Sequence, residues 1–282
     1  TPIGLFNLCA KVLKPLSVQL IGAYGSSKEM TRLSADPLNF DAYEAILVDM
    51  DGVLIFGTNP APGAIDFVKK AGRQLMVVTN ESRYGDDRVA RFLQSLGFDI
   101  NKNQVITACE KTIEILSDTR RAKNFLIKGA PGLHQLASEA GLQSCSLEDG
   151  IDIVLLGRDP DFSVETLQEM TSAIEDGAEL WVTNDDQRHP IEDGRFTYQT
   201  GALLAALLAC VGEVPVEVVG KPSSWLFEEA LRRLSATPKN SVMIGDNKLT
   251  DGAGSVALGM PFIHLSSSGA ADARFLSDLA PK

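Results

Sequence analysis

Ala45-Ile46-Leu47-Val48-Asp49-Met50-Asp51-Gly52-Val53-Leu54 is the stretch whose reading decides the fold. Four aliphatic residues read as a short strand of the kind that crossover helices join into a parallel sheet. The run ends in two carboxylates two residues apart, which would share one side if the strand continued, and Gly52 permits the turn that exposes them. Such a pair divides labour: one carboxylate acts as nucleophile, while the other gives a proton to the leaving oxygen and later activates water. The competing reading is a calcium loop of the EF-hand type. That loop needs a third oxygen ligand before its glycine and a Glu at its twelfth position, whereas here an apolar strand precedes and Val53-Leu54 follow.

Working outward from Asp41, short aliphatic runs alternate with amphipathic segments of helical length, which predicts an α/β fold. The strands expected to matter are Ala45 to Val48, Leu75 to Val78, Val216 to Val219, Ser241 to Ile244 and Phe262 to Leu265. Ligands of an open parallel sheet bind outside the carboxyl ends of its strands, so chemistry is sought in the residues that follow them. A second alternating set lies between: strand 125–128, helix 133–140, strand 151–156, helix 164–176 and strand 180–183. It reads as an inserted α/β lid. Trp181, Trp225 and the Leu/Ala run of 202–209 read as core.

Three further groups of residues stand at strand ends. Thr79-Asn80 offers a hydroxyl and an amide that hold phosphoryl oxygens without adding charge. In Gly220-Lys221-Pro222-Ser223, a lysine turned inward would neutralise a nucleophilic carboxylate and an incoming phosphate together; the spacing of a nucleotide P-loop is absent. In Gly245-Asp246-Asn247-Lys248-Leu249-Thr250-Asp251, carboxylates at i and i+5 suit a hard divalent cation. The glycines that follow at 252 and 254 come after this acidic loop rather than directly after a strand, which argues against a dinucleotide fingerprint.

The bulk properties narrow the partners. The 282 residues carry 26 basic and 37 acidic side chains, a formal net charge of -11, which disfavours nucleic acid and anionic lipid as partners. Hydrophobic residues at 44% and charged residues at 22% are ordinary globular composition. Four scattered cysteines, without CxxC spacing, point to reduced thiols in a cytoplasmic protein. No apolar run approaches the roughly 20 residues a membrane span needs. Residues 1–40 read as an amphipathic N-terminal extension without a secretory cleavage site.

Taken together, the four groups resemble the haloacid dehalogenase superfamily, whose motifs are DxD, a Thr or Ser, a Lys and a paired-Asp loop. The segments DMDGVL, VVTN, VVGKPS and IGDNKLTDGAGSVALGM resemble its NagD-like and 4-nitrophenylphosphatase branch. The resemblance implies a Rossmann-like core with a parallel sheet, formed by residues 41–119 and 216–282, and an α/β cap formed by 120–215. It implies a Mg²⁺-dependent phosphatase acting on small phosphorylated metabolites through an aspartyl-phosphate. Asp49 would be the nucleophile and Asp51 the acid and base; Gly52, Thr79, Asn80 and Lys221 would surround the phosphoryl group. Mg²⁺ would be held by Asp49, Asp51 through its backbone carbonyl, and Asp246, supported by Asp251. Thr183 to Pro190 resembles the branch's cap loop; His189 within it either faces the substrate or sits in a surface turn, and both readings stay open. Caps of this kind mediate homodimers in relatives, so a homodimer is one expectation. Phosphotransfer to an acceptor other than water, and a silent binder of phosphorylated metabolites, remain the alternatives. Two departures bear on the substrate: Glu81 stands where the branch usually has Asn, and Ile55-Phe56-Gly57 replaces a more polar stretch.

Overall fold

In the computed structural model of the chain, residues 39–190, 195–267 and 271–279 are described. The expected N-terminal extension lies outside them except for Asn39 and Phe40. Along the chain come β1 (Ala45–Val48), β2 (Ile55–Phe56), β3 (Asn59–Pro60), α1 (Ala64–Ala71), β4 (Leu75–Thr79), α2 (Asp86–Ser95), β5 (Val105–Thr107) and α3 (Ala108–Thr119). The middle of the chain forms β6 (Phe125–Lys128), α4 (Pro131–Glu139), β7 (Ile153–Leu156), α5 (Val164–Glu175), β8 (Glu179–Val182), β9 (Arg188–Pro190), β10 (Phe196–Tyr198), α6 (Thr200–Val211) and β11 (Val216–Val218). The last part forms α7 (Trp225–Leu234), β12 (Ser241–Gly245), α8 (Ala253–Ala257), β13 (Phe262–His264) and α9 (Leu276–Leu279).

Two parallel sheets carry the architecture. The first has the order β13-β12-β1-β4-β5, with every pairing parallel. Its strands are largely apolar because helices cover both faces. Ile46 and Val48 join the cluster beneath α1, α2 and α9, while Ala45 and Leu47 join the one beneath α3 and α7. The second sheet runs β11-β8-β7-β6, also parallel. One of its faces packs under α5 and α6 around Met170, Leu204 and Leu207. Phe125, Ile127, Leu155 and Trp181 on its other face belong to the same buried cluster as Leu47 and Phe227. That face of the inserted sheet therefore shares one buried cluster with the helices of the first layer.

Capping explains several boundaries. Thr107 accepts a hydrogen bond from the Glu110 amide and starts α3, and Ser163 does the same for α5 through Thr166. Val216–Val219 departs from its expected place: Val216–Val218 is the edge strand of the second sheet, paired with β8, rather than a strand of the first. The sequence reading also passed over β5, whose three residues are too short to show a period, and over the β9–β10 hairpin, which carries His189. Among the described residues, no helix is long and apolar enough to cross a membrane.

Candidate active site

Parallel pairing of β1 with β12 and β4 brings three of the groups together at the carboxyl ends of the first sheet, and the loop after β11 of the second sheet adds Lys221. Asp49 continues β1 by one residue, its amide donating to the Ile244 carbonyl of β12 at 3.0 Å. The chain then folds back, with the Gly52 amide donating to Ile55 O at 2.8 Å. Gly52 has φ +81°, and a Cβ there would lie 2.1 Å from Asp246 Oδ2. Only glycine allows both that backbone and that approach.

Lys221 is 1% exposed, and its ammonium spends its three protons on Asp49 Oδ1 at 2.8 Å, Asp251 Oδ1 at 2.7 Å and Val78 O at 2.7 Å. Burial alone would lower its pKa, but the carboxylates of Asp251 and Asp49 outweigh burial and raise it, so the amine stays charged. Complete burial in turn pushes Asp251 up, with the Lys221 charge opposing. Asp251 Oδ2 also accepts from the Asn247 amide, so both oxygens of that carboxylate are engaged. On Asp49, by contrast, the bonds from Lys221 and from the Met50 amide both fall on Oδ1, which leaves Oδ2 open.

Oxygens of Asp49, Asp246 and Asp251 lie within 4.8 Å of one another. Carboxylate oxygens are hard donors, and one lysine does not balance three of them with Asp51 beside them, so the donor set fits a divalent cation such as Mg²⁺. The crowding shows in their proton affinities. Enclosure in the cleft, then the charge of Asp49, pushes Asp51 up to about 7. The same two causes raise Asp246 to about 7, although Asp246 is open on its outer side and solvent there weakens the effect.

Around this centre, Thr79 is 2% exposed, and its hydroxyl oxygen accepts from the Glu81 amide at 3.2 Å. Asn80 serves Lys221 more than open space. Its Oδ1 accepts from the Lys221 amide at 2.7 Å, and its Nδ2 donates to Lys221 O at 3.0 Å and Asp186 Oδ2 at 2.9 Å. Glu81 is matched by Arg83 in a two-bond pair, at 2.9 Å and 2.7 Å. It caps no helix; the first amide of α2, that of Asp86, goes to Glu110 instead. His189 lies within the site, with Nε2 3.8 Å from Asp51 Oδ1. Burial, then the charge of Arg158, lowers its pKa, so the ring is neutral near pH 7. Arg83, Arg158 and Asp186 went unnoticed in the sequence; the opposite charge two residues from Glu81 was the available signal for Arg83.

Residues 46–143 match the profile of the haloacid dehalogenase-like hydrolases, and residues 218–280 match a second profile of the same kind. The chain is 29% identical to the acid sugar phosphatase of Staphylococcus aureus (strain MRSA252) over 228 residues, 80% of this chain and 87% of the relative. It is similar to the glycerol phosphate phosphatase of Mycobacterium tuberculosis, solved in complex with magnesium. The TM-score is 0.74 at 28% identity, over 82% of this chain and 70% of that one. The fold also matches NagD from E. coli, with a TM-score of 0.72 at 24% identity, over 81% of this chain and 90% of that one.

Proposed function

The chain belongs to the haloacid dehalogenase-like hydrolases, and we propose that it is a phosphatase that uses Mg²⁺ to hydrolyse small phosphate monoesters through a phosphorylated Asp49. The observation that carries this reading is the Lys221 ammonium bonded at once to Asp49 and Asp251, beside an Asp246 carboxylate that only Gly52 admits. The relatives with phosphatase names, one of them solved with magnesium, support it.

Asp49, Asp246 and the backbone carbonyl of Asp51 would hold Mg²⁺, which when bound offsets charge on the phosphoryl oxygens. The remaining steps fall to the protein. Asp49 Oδ2, the oxygen left open, attacks phosphorus in line with the leaving oxygen, and the bond to that oxygen breaks. Asp51 gives its proton to the leaving oxygen; its raised pKa keeps a useful fraction protonated near neutrality. In the second step Asp51 takes a proton from water, whose oxygen attacks phosphorus and expels the Asp49 carboxylate, releasing inorganic phosphate. Lys221 offsets the repulsion between the Asp49 carboxylate and the incoming anion, and the Thr79 hydroxyl donates to a phosphoryl oxygen. Asn80 positions Lys221, and His189 borders the leaving group.

In this reading residues 41–119 and the chain beyond Gly220 form the catalytic core, and about 120–219 form a cap that screens the cleft from water. The cap is taken to include Val216–Val218 because that strand belongs to the second sheet. The test is product analysis with 4-nitrophenyl phosphate: inorganic phosphate should appear with Mg²⁺ and cease on chelation. A phosphorylated acceptor in place of free phosphate would make the protein a transferase, and no turnover with any phosphate ester would make it a binder.

A further inference from the structure

We propose that Arg158 recognises a carboxylate on the leaving group, so that the preferred substrates are phosphorylated hydroxy acids rather than phosphorylated neutral alcohols or sugars. The inference rests on the phosphatase reading and concerns the same cleft.

Contacts fix where Arg158 sits. It follows Gly157 at the carboxyl end of β7, and a Cβ on Gly157 would lie 2.7 Å from Leu133 Cδ2 and 3.4 Å from Ser82 O. The cap strand therefore abuts the loop that carries Glu81 and Arg83. Arg158 Nη2 donates to Thr197 Oγ1 at 3.2 Å. Thr197 stands opposite His189 in the β9–β10 hairpin, and His189 Nε2 lies 3.8 Å from Asp51 Oδ1. Asp51 is the group that protonates the leaving oxygen, so what lies beyond it toward His189 and Arg158 is the leaving-group side.

Charge then selects the ligand. Arg158 is half-buried and forms no ion pair with any described residue, in a chain with 37 acidic and 26 basic side chains. The neighbouring Glu81 is committed to Arg83 through two bonds, and the Arg158 guanidinium carbon lies 5.9 Å from the centre of the Tyr198 ring, a cation–π contact. Burial, then the like charge of Arg83, works against the guanidinium. Glu81 and Arg83 thus satisfy each other, whereas the Arg158 fork holds the Thr197 hydroxyl and no carboxylate of a described residue. A planar fork with one unit of charge fits a carboxylate, which accepts two parallel bonds and carries one negative charge; a second phosphate would leave charge unmatched.

The matched probes are 3-phosphoglycerate and glycerol 3-phosphate, which differ by a carboxylate in place of a hydroxymethyl group. The bisphosphate of 1,3-propanediol is a third probe, and 4-nitrophenyl phosphate serves as the reference. The full chain with Mg²⁺ should favour 3-phosphoglycerate over glycerol 3-phosphate in kcat/KM by about tenfold or more, the scale of one charge-assisted contact. In Arg158→Gln that ratio should fall toward one, chiefly through KM for 3-phosphoglycerate. Arg158→Lys, which keeps the charge and loses the fork, should retain part of it. No preference in the wild type, or the same ratio in Arg158→Gln, overturns the proposal, as does a bisphosphate preferred over both. Failure to hydrolyse 4-nitrophenyl phosphate as well would instead sink the phosphatase reading, and this inference with it.

Discussion

Lys221 Nζ lies 2.8 Å from Asp49 Oδ1, and the same ammonium is the only cation bonded to the fully buried Asp251 among the described residues. Removing the amine leaves a buried carboxylate unpaired, which costs far more than the net worth of the pair. Lys221→Met should therefore lose about 3–5 kcal/mol of stability in urea denaturation. Lys221→Met/Asp251→Leu should recover much of that loss without recovering turnover. Equal stability of Lys221→Met and wild type would mean that Asp251 is not charged.

Gly52 and Asp246 make a second constraint between strand ends. Gly52→Ala would put a methyl 2.1 Å from Asp246 Oδ2, at a backbone with φ +81°. The backbone strain is about 1–2 kcal/mol. The carboxylate can rotate away, so the larger effect should fall on the metal: the Mg²⁺ concentration for half-maximal phosphate release should rise at least tenfold, an expectation scaled from losses of metal affinity on disturbing a site. An unchanged Mg²⁺ dependence would argue that Asp246 is not a ligand.

Asp51 has a different job in each half-reaction, and leaving-group chemistry separates them. 4-Nitrophenolate leaves without help from an acid, so Asp51→Asn should give a burst of one nitrophenolate per enzyme followed by slow turnover, as the phosphoenzyme waits for water. With alkyl phosphates the same variant should lose about 10²–10⁴-fold in kcat, because the first step then fails too. Equal losses on both substrate types and no burst would remove the acid role.

Glu229 on α7 shows how the helix behind the Lys221 loop is held. The hydrogen bond from Arg232, with those from Arg233 and Lys111, holds its carboxyl down at about 2 against burial. A folded pKa below the model-peptide value of 4.5 means the contribution is full above that value and is lost as pH falls through about 2. Glu229→Gln should be less stable by about 1–2 kcal/mol at pH 7, less than the full shift because solvent weakens the Arg232 pair. The deficit should shrink between pH 4.5 and 2; a deficit constant with pH would indicate lost packing instead.

The candidate site is legible in the sequence where a local rule coincides with a strand end. Asp49 after Val48, Thr79 at the end of β4, and Asp246 after Gly245 each follow an apolar run, and parallel pairing brings such ends together. Val216–Val219 misled because an apolar run does not say which of two parallel sheets it joins, and only its pairing with Leu180 to Val182 decides that. Asn80 was read as a phosphate contact, yet its amide is committed to Lys221 and Asp186, 141 and 106 residues away. Arg158 carries no motif at all. Its lack of an ion pair among the described residues becomes visible only when folding places Glu81, Arg83 and His189 around it.

The most direct test of the account is to find the phosphate on Asp49. Asp51→Asn protein mixed with 4-nitrophenyl phosphate and Mg²⁺, then quenched in acid, should carry one phosphoryl group on the peptide containing Asp49, labile to hydroxylamine. Asp49→Asn/Asp51→Asn should carry none. A phosphoryl group on another residue, or full 4-nitrophenyl phosphate turnover by Asp49→Asn without any labelled protein, would contradict the account.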